Sequence, residues 1–254
     1  MSWIQAMFAG MLPTAIVSLV ILGTEWVHGS RGTDWWRNLQ AWFVCRLSAI
    51  TALPLLPLWA HEQWSLIDGS KLSFWIAFPI MILARDLGEY LFHRAQHSIP
   101  FMWAMHSLHH SDPDMMVLTT QRHFWGDQFL KELTIWPAAL LVISPTPAML
   151  AGYGLFSLWN FGLHSSLPID FGRFSWVLNS PEYHRRHHSI DTAEYNSNFA
   201  ALLPIWDVVF GGYHCAEGHP RTGMPRKPES LWELLIWPLI WDKAPAATTE
   251  PAVA

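Results

Sequence analysis

The chain is poor in charge. Only 14% of its 254 residues are Asp, Glu, Lys or Arg, against roughly 25% in an ordinary soluble domain, which argues against a plain cytosolic globule. Basic excess is missing as well: 15 Lys and Arg stand against 20 Asp and Glu, a formal net charge of −5. A nucleic-acid partner is therefore not expected, because it would need a strongly basic surface. Cysteine is nearly absent, and Cys45 and Cys215 cannot build a disulfide framework, a Cys-based zinc site or an iron–sulfur centre. Any metal must be held by His, Asn and carboxylates. A Gly-rich dinucleotide fingerprint is lacking too, since Gly152-Tyr153-Gly154 lies in an apolar helical stretch.

What is present in excess is apolar residues, Trp (17) and His (14). Apolar runs cover residues 4–23, 41–60 and 72–92, each near the ~20 residues that cross ~30 Å of hydrocarbon. Pro13, Pro54, Pro57 and Pro79 fall inside them, which membrane helices tolerate better than soluble ones. The first run has no Lys or Arg before it and exceeds a signal-peptide core, so it reads as a span rather than a leader. Residues 133–143 and 148–161 are shorter and are split by Ser144-Pro145-Thr146-Pro147, which predicts a helical hairpin returning the chain to its starting side. Arg31, Arg37 and Arg46 flank the first two runs, and seven basic residues from Arg85 to Arg186 follow in the third run or after it. By the positive-inside rule the polar segments after residue 85 then face the cytoplasm.

The expected architecture is all-α. About four membrane-associated segments carry a cytosolic helical cap with a histidine-rich di-metal site. Residues 1–84 form the N-terminal helices and 85–215 the catalytic segment with its hairpin at 133–161. Residues 216–243 form a Trp-rich segment lying on the membrane face or packing on the catalytic part, and 244–254 a disordered tail.

Three histidine clusters carry the chemistry. In His93-Arg94-Ala95-Gln96-His97 two imidazoles sit at i and i+4, on one helix face. Asp86 and Tyr90 continue that stripe backward and are expected as outer partners that orient ligand rings. His106, His109 and His110 share a face of a short helix between Pro100 and Asp112-Pro113. His184, His187 and His188 repeat the spacing, behind Ser180 as N-cap, Pro181 at the first helical position and Glu182 in the first turn. Packing three imidazoles on one face twice is costly without a cation. His164 at the end of the hairpin is a further candidate ligand, Asn160 four residues before it a ligand or hydrogen-bonding residue, and His123 a ligand or outer partner. The isolated His28, His61, His214 and His219 read as structural or surface residues.

Imidazole suits several metals, and eight or nine histidines suffice for two ions. Arg94 stands where a zincin-type peptidase needs Glu. Axial haem ligation would place the histidines within the apolar runs, whereas they sit beyond them. A zinc-dependent membrane hydrolase and a metal-binding structural protein remain as alternatives.

From Asp86 to Gly211 the chain resembles the fatty acid hydroxylase / sterol desaturase superfamily of membrane-bound, non-haem di-iron enzymes. The boxes HX3H, HX2HH and HX2HH of that superfamily appear here as HRAQH, HSLHH and HRRHH, and Ile205-Trp206-Asp207 with Gly211 also matches. Asn198-Phe199-Ala200 departs from the Asn-Tyr-Gly of many members. The resemblance implies that the eight clustered histidines bind two iron ions, which zinc can replace in purified protein, and it supports His164 as an added ligand. It implies O2-dependent hydroxylation of a lipid, with desaturation the close alternative. Electrons must then come from an external donor, a reductase, ferredoxin or cytochrome b5-like protein. The expected location is a bacterial inner membrane with the histidines facing the cytoplasm.

Overall fold

The computed structural model describes residues 3–30, 32–52, 55, 64–214 and 218–242. His61, Cys215, the 244–254 tail and part of the second apolar run lie outside the described residues. Among the described residues there is no β-strand, only two isolated bridges, Ile67 with Ile143 and Ser189 with Thr222. The all-helical expectation holds.

Five longer helices form the body: α1 (Trp3–Val27), α2 (Trp35–Ala52), α3 (Phe74–Ser98), α5 (Trp125–Val142) and α6 (Pro147–Leu163). The cap is built from shorter ones, α4 (Pro100–His110), α7 (Pro181–His187), α8 (Ile205–Phe210) and α9 (Leu231–Leu235). Helix α3 is central: it packs on α5 and α6, while α2 lies against α5 and α1 against α6. The two apolar segments expected as a hairpin are α5 and α6, joined by residues 143–146, but each packs on α3 rather than on the other. Small residues let the three inner helices approach: Ala77 of α3, Ala139 of α5 and Ala148 of α6 pack with Met81 and Ile143 in one buried cluster.

Local chemistry accounts for the cap helices. Pro100 and Pro181 start α4 and α7 with their fixed φ. The Ser180 hydroxyl accepts the Tyr183 N–H, as its position in the sequence predicts. Ser230 caps α9 in the same way, accepting from Glu233 N–H. The segment after α9 packs inward in part: Trp237 is buried against α4 and donates Nε1–H to Ser107 Oγ at 2.9 Å. Trp232 and Leu239 stay exposed.

Among the described residues no helix is long and apolar enough to cross a membrane. The body nevertheless turns large apolar side chains outward, including Leu19 (67% exposed), Leu47 and Trp75 (81%). Such surface is normally covered by a partner or a lipid phase.

Candidate metal centre

Helix α3 continues without a break from its apolar half into the first histidine box, and α4 and α7 bring the other two boxes against it. The result is two adjacent groups. His93, His97, His106, His110 and His187 form one; His109, His164, His184 and His188 form the other. In each, the nearest side-chain nitrogens all lie within 4.8 Å of one another. All nine histidines expected from the sequence as ligands are thereby brought together, with His164 delivered by the end of α6.

The hydrogen bonds define what these nitrogens are. His93 Nδ1–H donates to the Phe199 carbonyl at 2.8 Å, and His187 Nδ1–H to the Ser197 carbonyl at 2.7 Å. A neutral imidazole that donates through Nδ1 carries only a lone pair on Nε2. Yet the Nε2 atoms of His93 and His187 are 3.0 Å apart, and that of His93 is also 3.0 Å from His106 Nε2. In the second group His164 Nδ1–H donates to the Asn160 carbonyl, and its Nε2 faces those of His109 at 3.0 Å and His184 at 3.1 Å. Between His93 and His187 a lone pair meets a lone pair. An added proton does not resolve the conflict, because burial pushes the imidazoles of α4 and α7 well below their ordinary pKa.

A cation does resolve it. Two nitrogens bound to one ion at ~2.1 Å each lie roughly 3.0–3.4 Å apart, and the closest Nε2 contacts, 3.0 to 3.1 Å, are of that order. Buried Nε2 atoms of His97, His110 and His188 have no hydrogen-bond partner, as expected of donors aimed at an ion. The residues fit two metal ions, one per group.

Other buried groups hold this framework. Asp127 was not singled out in the sequence, although it stands four residues after His123, within a helix. It is fully buried: one carboxylate oxygen accepts from Gln96, and the other lies 3.3 Å from His123 Nδ1 and 3.6 Å from His106 Nδ1. The His123 ring stacks on His109, centroids 4.2 Å apart and 10° from parallel. His123 is in neither nitrogen group. It belongs to a third cluster with His106 and Asp127.

Asp86 touches no histidine. It accepts the N–H groups of Leu202 and Leu203 and the Trp206 indole N–H, anchoring the chain just after Phe199 to α3. Asp207 works from the other side, accepting from Phe199 N–H, Ala200 N–H and Tyr183 O–H. Gly212 is required there, since a Cβ would come 2.6 Å from Asp207 Oδ1. The two carboxylates thus fix the Phe199 carbonyl that holds His93. Tyr90 meets Arg94 through its hydroxyl and stacks on Phe210, again away from the histidine nitrogens. Asn160 acts through its backbone carbonyl.

Arg94, Arg185 and Arg186 act as ties within the fold. Arg185 donates to the Pro220 carbonyl, Arg186 pairs with Glu194, and Arg94 donates to Phe210 O. Arg122, unmarked in the sequence, is fully buried and bridges Asp34, Asn38 and the end of α4.

A cavity of about 460 Å³ opens between α1, α2, α3, α5 and α6 and reaches His93 and His106 of the first group and His109, His164 and His184 of the second. An all-helical body holding two adjacent histidine groups beside a cavity has the make-up of a metal-binding protein with a ligand pocket. Comparison with known proteins carries this further. The fatty acid hydroxylase family model matches residues 78–212, and the chain belongs to that family, within the fatty acid hydroxylase / sterol desaturase superfamily.

Its relatives include an alkylglycerol monooxygenase from Xenopus tropicalis, 34% identical over 68% of this chain and 39% of the relative. An ornithine lipid hydroxylase from Rhizobium tropici is 28% identical over 65% and 49%, and a cholesterol 25-hydroxylase from Rattus norvegicus 22% identical over 56% and 48%. The chain thus spans less than half the length of these relatives. No solved structure matches it.

Proposed function

We propose that the chain is a membrane-associated, O2-dependent lipid hydroxylase whose nine clustered histidines hold two iron ions. The observation that carries this reading is the set of facing histidine Nε2 atoms beside a cavity of about 460 Å³. The relatives' names favour hydroxylation over desaturation. Bound iron supplies the O2 and C–H chemistry, which protein side chains alone lack.

The chain's own residues do the rest. His93, His97, His106, His110 and His187 would hold one ion, and His109, His164, His184 and His188 the other. Phe199 O, Ser197 O and Asn160 O fix ring tautomers by accepting Nδ1–H. The aromatic wall of Phe199, Trp103 and Tyr195 shields the first group from water. One oxygen atom of O2 enters the C–H bond and the other leaves as water, which consumes two electrons and two protons. With no ferredoxin cysteines in the sequence, an external donor supplies the electrons. The outward apolar side chains of α1–α3 support attachment to a membrane, and the Lys and Arg distribution supports a cytoplasm-facing centre.

The test compares lipid extracts of cells with and without the gene. A product heavier by one oxygen is expected. A product lighter by two hydrogens would make the chain a desaturase, and unchanged lipids with a zinc-only protein would support the hydrolase alternative.

A further inference from the structure

The cavity carries charges that the histidine chemistry does not use. Arg46 of α2, Arg85 and Glu89 of α3, and Lys131 and Glu132 of α5 all line it. Three cations against two carboxylates leave one positive charge. Both carboxylates are engaged. Glu89 pairs with Lys131 through one oxygen and lies 3.5 Å from Arg85 Nη2 through the other, while Glu132 accepts from Gln128 Nε2 at 2.8 Å.

The guanidinium groups are less well satisfied. Arg85 is held by rings, 4.5 Å from the centroid of Trp136 and 5.2 Å from that of Phe156, and its Nε is buried without a hydrogen-bond partner. Arg46 Nε is likewise buried and unpartnered, and no carboxylate among the described residues pairs with it. Leaving a guanidinium half-desolvated beside apolar helices is expensive unless an anion completes it. Its planar fork matches the two oxygens of a carboxylate or phosphate.

We propose that Arg46, with Arg85 and Lys131, binds an anionic oxygen group, carboxylate or phosphate, at the polar end of the lipid substrate. That this lipid is the substrate rests on the hydroxylase reading above; the anion site does not. Arg85 precedes His93 by eight residues on one helix, roughly 12 Å of rise, so the anion site and the histidines are set apart along that helix.

Three probes with the same alkyl chain test this on the iron-loaded protein in detergent: palmitate, hexadecyl phosphate and hexadecanol. One or both anions should bind at least about tenfold tighter than the alcohol, and the preferred anion names the headgroup. Arg46→Gln should reduce that preference to less than about twofold, and Arg46→Lys, which keeps the charge but not the planar fork, should restore only part of it, at unchanged iron content. Equal binding of all three probes by the unmodified protein overturns the proposal without any variant, as does an anion preference that survives Arg46→Gln. If anion preference is present but no lipid gains oxygen, the hydroxylase reading fails and the anion site stands.

Discussion

The two histidine groups are built differently. In the first, His93 and His187 hand their Nδ1 protons to Phe199 O and Ser197 O, two carbonyls of one loop. That loop is in turn pinned by Asp86 and Asp207. In the second, only His164 has such a carbonyl, from its own helix. Buried Nδ1 atoms without a hydrogen-bond partner occur in both groups, His106 and His110 in the first and His109 and His184 in the second. His109 relies on the stacked His123 ring instead. The first group is therefore held by a preset loop and the second by helix ends packed around it. The first should bind its ion in a fixed geometry; the second should tolerate more change in its surroundings but not in its ligands.

The largest effects come from the ligands themselves. His187→Ala should lower lipid hydroxylation by at least roughly 100-fold, measured as oxygenated product in extracts; unchanged product would remove His187 from the centre. His164→Ala should reduce bound metal from two ions to one, because the two nitrogen groups are separate. Loss of both ions together would mean that the groups form a single cooperative unit.

A middle effect separates the groups most sharply. Asp86→Asn weakens the anchoring of residues 202–206, and through Phe199 it should loosen the first ion alone, by roughly 10- to 100-fold in affinity. Metal titration of this variant should give one ordinary and one weakened site. Two equally weakened sites would contradict the difference drawn between the groups. The smallest effect is expected for His123→Phe, which keeps a ring against His109 and loses the contact to Asp127. Loss of one buried hydrogen bond amounts to about 1 kcal/mol, so affinity at the second ion should fall only several-fold.

The part of this arrangement that was legible in the sequence is the part that helical periodicity encodes. Spacing placed the three boxes on helix faces, Ser180-Pro181-Glu182 marked the start of α7, and the Pro-broken run marked the break between α5 and α6. The rest depends on what meets across space. Asp86 lies on the histidine stripe of α3 but faces the 202–206 segment, which no single-helix pattern reveals. The carbonyls that set the tautomers carry no residue identity at all. Asp127 stands four residues after His123, but His123 precedes α5, so helical spacing alone does not pair them. The partners of Arg185 and Arg186, Pro220 O and Glu194, arrive from later loops, so no local pattern reveals these ties.

The most direct measurement is the metal content of protein purified from iron-replete cells without added metal. Two iron atoms per chain, falling to one in His164→Ala, is the predicted result. A single zinc with no iron in the unmodified protein would contradict the two-iron centre on which the account rests.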